Sequence, residues 1–206
     1  IKMFTGIVQA QGKVLTSRPI KEGLKLEIKV PESFNKGLKE GASVSVNGVC
    51  LTVTEHYEEK IIFDVIQETL KTTNLSDLDN MSNVNIERSL KFGDEIGGHL
   101  LSGHVCCKCQ ATLNKKRGEM EIVVNKPKDW GAYIIPKGYV ALNGVSLTVG
   151  KVTEDKFSVF LIPETIESTN LLTIVKGATL NLEVDQAVMS LYEKELKVLK
   201  RIGGEK

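Results

Sequence analysis

The chain repeats itself once, and that repeat limits what it can fold into. Asn47-Gly48-Val49-Cys50-Leu51-Thr52-Val53 matches Asn143-Gly144-Val145-Ser146-Leu147-Thr148-Val149 at every position but one, at an offset of 96. The same offset pairs Ile66-Gln67-Glu68-Thr69 with Ile162-Pro163-Glu164-Thr165, Thr73-Asn74-Leu75 with Thr169-Asn170-Leu171, and Asn85 with Asn181. Thr5-Gly6-Ile7-Val8 resembles Ser102-Gly103-His104-Val105 at an offset of 97, which Gly41 and Gly138 also keep. The one-residue difference is therefore expected between Gly41 and Asn47, as a bulge or a changed hairpin. Landmarks in one order at one spacing define a duplicated domain, not a solenoid of many short repeats.

Within each copy the periodicity is that of strands. Leu24 to Val30 alternates apolar and charged residues and stops at Pro31. Val44 to Val46 and Val49 to Val53 flank Asn47-Gly48 as a hairpin, and Tyr139 to Val149 repeats it around Asn143-Gly144. Lys60 to Ile66, Lys156 to Ile162, Val84 to Glu87 and Leu180 to Val184 are further strands. Many short strands with turn signals mean a sandwich or a barrel, and closure into a barrel removes exposed edges. Short helical pieces are expected after Pro31, around Thr69 to Leu75, after Pro127 and around Thr165 to Leu172. Lys115-Lys116-Arg117-Gly118 reads as a solvated hairpin tip. In the tail, Val188, Tyr192, Leu196, Leu199 and Ile202 form one apolar stripe of a helix ended by Gly203-Gly204. The stripe either folds back on its own barrel or assembles subunits. The domains are thus residues 1–98, 99–187 and a helical 188–206.

Composition narrows the functional class. Lys and Arg number 27 against 26 Asp and Glu, which argues against nucleic-acid or membrane-surface binding. No apolar run is long enough for a membrane helix or a signal peptide. Three of the four cysteines crowd into Cys106-Cys107-Lys108-Cys109 near His104. If 104–110 is a strand, Cys107 and Cys109 face one way and His104 and Cys106 the other. One strand cannot wrap them round a tetrahedral zinc ion, so free reduced thiols are expected, as in the cytosol.

Met3-Phe4-Thr5-Gly6-Ile7-Val8, the two Asn-Gly motifs, and Gly97-Gly98-His99-Leu100-Leu101-Ser102-Gly103-His104-Val105 together resemble the riboflavin synthase family over nearly the whole chain. The family begins at the methionine that is Met3 here, so Ile1-Lys2 read as extra residues. The resemblance implies a mainly β fold: two tandem six-stranded antiparallel Greek-key barrels, short helices and a C-terminal helix that assembles homotrimers. It implies a cytoplasmic enzyme without metal or cofactor, with lumazine substrate and riboflavin product as its partners. Two molecules of 6,7-dimethyl-8-ribityllumazine would exchange a four-carbon unit between barrels of neighbouring subunits. Two copies of one substrate suit two copies of one binding fold. The absence of a Rossmann fingerprint or P-loop agrees with this.

The resemblance also implies site residues, each with a plainer alternative. His104 is the catalytic candidate, since it stands where the first copy has Ile7; an imidazole moves protons near neutral pH, and a core histidine is the alternative. His99 is expected to be structural, bonding a loop carbonyl. Cys50 and Ser146 would face ligand. Cys50 either assists nucleophilic addition or only packs and hydrogen-bonds, since a thiol attacks as thiolate. Thr148 and Thr52 follow on the same strand face. Asp185 is a polar partner beside Ser146, or the cap of the tail helix, or both. Ser43 resembles a family active-site serine, and Lys137 a residue that reaches across the subunit boundary.

Binding positions implied in the first copy are Phe4, Thr5, Gly6, Ile7, Val8, Leu51, Asp64, Val65, Ile66, Gln67, Glu68 and Thr69. Those in the second are Gly103, Val105, Leu147, Phe160, Leu161, Ile162, Pro163, Glu164 and Thr165. The Glu-Thr pairs suit ribityl hydroxyls, with ordinary turn chemistry as the alternative. The rival function is a non-catalytic lumazine- or flavin-binding antenna protein, which tends to lose such residues and to bind in one barrel.

Overall fold

The computed structural model describes residues 2–116, 118–173 and 177–203. Ile1, Arg117 of the expected hairpin tip, the Ile202 side chain and Gly204 lie outside the described residues. In the first copy, β1 (Ala10–Ile20), β2 (Gly23–Lys29), β3 (Ser43–Val46), β4 (Val49–Tyr57), β5 (Lys60–Ile66) and β6 (Asn83–Arg88) close an antiparallel barrel in the order β1-β2-β5-β4-β3-β6. In the second, β7 (Cys107–Lys116), β8 (Glu119–Asn125), β9 (Tyr139–Leu142), β10 (Val145–Val152), β11 (Lys156–Leu161) and β12 (Ala178–Val184) close another in the order β10-β11-β8-β7-β12-β9. The helices are α1 (Glu32–Asn35), α2 (Gln67–Thr72), α3 (Pro163–Ser168) and α4 (Gln186–Gly203). Single 3₁₀ turns at Asn74–Asp77, Gly131–Tyr133 and Asn170–Thr173 complete the expected short helical pieces.

The one-residue difference between the copies is a bulge, but it lies elsewhere than expected. β1 pairs Val14 with Ile28 and then Thr16 with Glu27, so Leu15 is the extra residue. β7 and β8 pair without any such shift. From there on the copies stay in step at the offset of 96. Gly41 N–H donates to Val53 O and Lys137 N–H to Val149 O, so Gly41 corresponds to Lys137, not to Gly138. Both residues hold left-handed φ values, 78° and 66°. Ser43, opposite Thr52, therefore corresponds to Tyr139, opposite Thr148.

Alternation gives each barrel its own core. Val14, Leu26, Ile28, Val44, Ile61 and Val84 are fully buried in the first; Ile122, Val124, Val140, Val149, Val159 and Leu182 in the second. Each such side chain contributes roughly 1.5–3 kcal/mol relative to exposure.

The two barrels meet through asparagines. Asn47 and Asn143 open their hairpin turns at φ 46° and 47°, a conformation asparagine tolerates better than most residues. Asn47 Oδ1 accepts from Asn85 N in its own barrel (2.9 Å) and from Asn170 Nδ2 of the other copy (3.1 Å). Asn143 Oδ1 likewise accepts from Asn181 N (2.9 Å) and Asn74 Nδ2 (3.1 Å). Asn85 Nδ2 donates to Asn143 O and Asn181 Nδ2 to Asn47 O, at 3.0 and 2.8 Å. Gly48 and Gly144 touch at the centre. A Cβ on Gly48 would lie 2.7 Å from Gly144 N, and one on Gly144 2.7 Å from Gly48 N.

The tail helix leaves the second barrel directly. Asp185 Oδ1 accepts from Ala187 N at 2.8 Å and caps it. Met189 packs against the barrel core, and Tyr192 meets Tyr133 edge-on at 5.4 Å. Leu191, beside the stripe, is 69% exposed, and Leu199, near the end of the helix, 58%. The stripe thus folds back at its base, stays half-buried at Leu196 and is uncovered at Leu199.

Gly48→Ala is expected to cost roughly 2–3 kcal/mol, combining left-handed strain with displacement of the facing turn. Gly37→Ala, also at positive φ (70°) but with nothing within 4 Å of the new methyl, should cost only about 1 kcal/mol. Urea unfolding of the two variants checks both values.

Candidate functional site

The segments preceding β1 and β7 do not stay with their own barrels. Phe4 and Leu101 pair antiparallel, each N–H donating to the other's carbonyl at 2.8 and 3.0 Å. Beyond that bridge the two arms diverge across the molecule. Gly6 O accepts from Ser146 N of the second barrel at 2.9 Å, and Val8 packs on the second core. Gly103 O accepts from Cys50 N of the first barrel at 2.9 Å, and Val105 packs on the first core. Glycine is required at both crossings. φ is 73° at Gly6 and 74° at Gly103, and an added Cβ would lie 2.6 Å from the Cβ of Ser146 or Cys50.

Each arm is tied down by a buried glutamate. Thr5 N and Oγ1 donate to Glu87 Oε1 at 2.6 and 2.8 Å, and Gly6 N to Oε2 at 3.1 Å. Ser102 N and Oγ donate to Glu183 Oε1 at 2.8 and 2.9 Å, and Gly103 N to Oε2 at 3.1 Å. Burial raises the pKa of both carboxyls and these hydrogen bonds oppose it. Along the strands both residues read as ordinary alternating charges, so the pattern gave no sign of them. Their one signal is that they too fall at the offset of 96.

A cavity of about 210 Å³ on the first barrel is walled by Cys50, Ile66, Glu68 and Thr69 on one side and Gly103, His104 and Val105 on the other. His104, a residue of the second copy, therefore serves the first barrel's cavity. Its counterpart Ile7, 48% exposed, follows the Gly6 that meets Ser146, but its side chain lies against Gly97 and lines a cavity with Gln9, Glu87 and Arg88. Thr52 and Thr148 are exposed on their strands. Ile66 and Ile162 are exposed just before α2 and α3, helices that carry Gln67, Glu68 and Thr69, and Pro163, Glu164 and Thr165.

Other candidate positions point elsewhere. Leu51, Val65, Leu147 and Leu161 turn into the cores, so only their backbones can face a ligand. Phe4 is buried against Leu101, Ala141 and Cys50. Asp64 pairs with Lys25 at 3.1 Å and Glu68 with Lys71 at 3.2 Å. Phe160 is 47% exposed, and Lys137 is exposed on the turn before β9. Ser43 is buried and its hydroxyl has no partner.

His99 does not bond a loop carbonyl. Its Nδ1 lies 2.7 Å from Ser146 Oγ, and its ring stacks on Tyr139 with centroids 5.3 Å apart. Burial lowers its pKa, and the Asp185 charge opposes that. The sequence reading missed His99 and Tyr139 as neighbours of Ser146, although the Gly97-Gly98-His99 motif was in view. Gly98 makes the approach possible, since a Cβ there would lie 2.7 Å from Ser146 Cβ.

The cysteines follow strand alternation. Cys107 and Cys109 face the same way, with Sγ atoms 3.6 Å apart, and all four cysteines are free thiols. Burial pushes the Cys106 thiol up to about 11. Among the described residues, no group of three or more His, Cys, Asp and Glu side chains is arranged to hold a metal ion.

Known proteins match this arrangement along its length. The family described as "Lumazine binding domain" matches twice, over residues 5–89 and 102–185. The riboflavin synthase of Escherichia coli (strain K12) is 41% identical over 199 residues, 94% of this chain and 93% of that protein. That of Chlamydia pneumoniae is 41% identical over 201 residues, 98% and 99% of the two chains. Among solved structures, LumP complexed with riboflavin superimposes with a TM-score of 0.82 at 25% identity, covering 89% of this chain and all of that one. Identity at this level over nearly the full length, on top of the doubled domain, makes this chain a member of the riboflavin synthase family.

Proposed function

We propose that this chain catalyses the dismutation of two molecules of 6,7-dimethyl-8-ribityllumazine into riboflavin and 5-amino-6-ribitylaminouracil. It is then a transferase that moves a four-carbon unit from one lumazine to the other. The observation that carries this reading is the paired site: one barrel's hairpin and the other's arm, built twice but furnished differently. The first carries Cys50 and His104; at the equivalent places the second copy's hairpin has Ser146 and the arm that meets it has Ile7, so two copies of one substrate meet unequal chemistry.

The 7-methyl group of the lumazine is acidic because its carbanion is delocalised over the ring. One substrate supplies that carbanion and the other accepts it after addition of a nucleophile. The unit passes between two identical molecules, so no external redox partner is called for. The protein's task is to hold two rings face to face and move protons; orientation alone can supply ~7–11 kcal/mol. His104, exposed at the first cavity, is the proton carrier. Ser146, with its hydroxyl fixed by neutral His99, orients substrate or water at the second site.

Uncovered apolar residues support assembly. Ile162 and Phe160 at the second barrel's site and Leu191 and Leu199 on α4 are all about half or more exposed. We assign homotrimers in which the first barrel of one subunit faces the second barrel of another. Free thiols suit a reducing compartment, and we place the enzyme in the cytoplasm. No helix among the described residues is long and apolar enough to cross a membrane. The likeness to LumP favours one rival, a binder that does not turn lumazine over.

Purified protein given 6,7-dimethyl-8-ribityllumazine in EDTA, without added cofactor, should form one riboflavin for every two lumazines consumed. Lumazine bound but unconverted would establish the rival. His104→Ala should lower kcat at saturating lumazine by about 10²-fold; unchanged turnover would remove His104 from the mechanism. His99 gives a pH signature. Its folded pKa lies below its unfolded value, so the unfolded chain binds the extra proton first, and stability falls as pH drops through the folded value. Between pH 7 and pH 5 the Tm of His99→Gln should therefore decline less than that of the unmutated protein, as scanning calorimetry would show.

A further inference from the structure

We propose that Glu183 and Glu87 are crossed positioning residues: each stands in one barrel and sets the ligand site of the other. This rests on the reading of the paired ligand sites above. Glu183 lies on β12 of the second barrel, buried to 2% exposure. Its two oxygens take three donors from Ser102 and Gly103, and Ser102 Oγ in turn accepts from His104 N at 3.2 Å. The carboxylate thus does for the arm what a neighbouring strand would do, satisfying consecutive N–H groups that no ladder reaches. The arm so fixed presents Gly103 O to Cys50 N and His104 to the first barrel's cavity. Glu87, on β6 of the first barrel and 3% exposed, does the same for Thr5 and Gly6, and through them for the site beside Ser146.

The chemistry requires a carboxylate. Both oxygens accept, and the charge strengthens each bond. A glutamine of the same shape would accept on one oxygen only and turn an amide donor towards a backbone N–H. The hydroxyl matters as well, since it bonds the carboxylate and also receives the N–H two residues on. The first copy uses Thr5 for this and the second Ser102, so either hydroxyl residue serves.

A residue that only held its own barrel together would loosen its own site, or both sites alike. A crossed role predicts the opposite pattern, and Cys50 is a built-in reporter for the first barrel's site. In the full-length protein, alkylation of Cys50 by iodoacetamide would be followed by mass spectrometry while riboflavin is titrated. Riboflavin should protect Cys50 in the unmutated protein. Glu183→Gln, in the second barrel, should need about tenfold more riboflavin for half protection. Glu87→Gln, in Cys50's own barrel, should leave the midpoint unchanged. Should Glu183→Gln fail to fold, Ser102→Ala removes one donor and should raise the midpoint several-fold, while Ser102→Thr should restore it.

An unshifted midpoint in Glu183→Gln or in Ser102→Ala overturns the proposal. Equal shifts in both glutamine variants overturn the crossed assignment in favour of general loosening. If riboflavin fails to protect Cys50 even in the unmutated protein, the ligand reading of that cavity falls first, and the proposal falls with it.

Discussion

The contact between Asn47-Gly48 and Asn143-Gly144 is the constraint on which the rest of the molecule depends. Two hairpin turns are pressed together so closely that neither glycine can carry a side chain. Six buried asparagines then surround the contact, and each turn's amide group is bonded from both barrels. Buried amides are costly when unpaired, so this network favours one relative placement of the barrels over neighbouring ones. With that placement fixed, the two arms lie side by side at Phe4 and Leu101, and each can reach the opposite hairpin.

The crossed arms are consequences of that geometry. The first barrel does not wall the cavity beside Cys50 alone: β4 supplies one side and the other copy's arm the facing side. The arms are short, and glycine at the crossing lets backbone lie on backbone. Their amides are satisfied by single carboxylates from the barrels they leave. His104 is thereby carried away from its own barrel's core to the exposed rim of the first barrel's cavity.

Much of this was legible in the chain. The repeat, the two hairpins and the closing strands follow from spacing and alternation. The tail helix follows from its stripe. β1 escapes the strand pattern because Gly12, Pro19 and a bulge at Leu15 interrupt its alternation, and β8 because its unbroken apolar run is only Ile122 to Val124. Gly41 and Gly138 looked like partners because both are glycine, yet the left-handed position is held by Gly41 in one copy and Lys137 in the other. The asparagines at 47, 74 and 85 were seen to recur at 143, 170 and 181 without their purpose being visible. Local pattern reports turns, and only the assembled barrels show that the turns are an interface. His99 and the two glutamates were hidden for the same reason: their partners lie about fifty to eighty residues away.

The central contacts between the two halves occur twice with the roles exchanged: Asn47 with Asn170 and Asn143 with Asn74, Gly6 with Ser146 and Gly103 with Cys50. This is the isologous pattern of a two-fold dimer, contained here in one chain. In a dimer of identical chains every substitution enters both faces at once, so an imidazole placed at one site is placed at both. Covalent linkage lifts that restriction. Ile7 corresponds to His104, Cys50 to Ser146 and Ser43 to Tyr139, at equivalent places in the two barrels. The tether between the barrels gives the molecule what symmetry denies to an oligomer of equals, the freedom to carry different side chains at equivalent places.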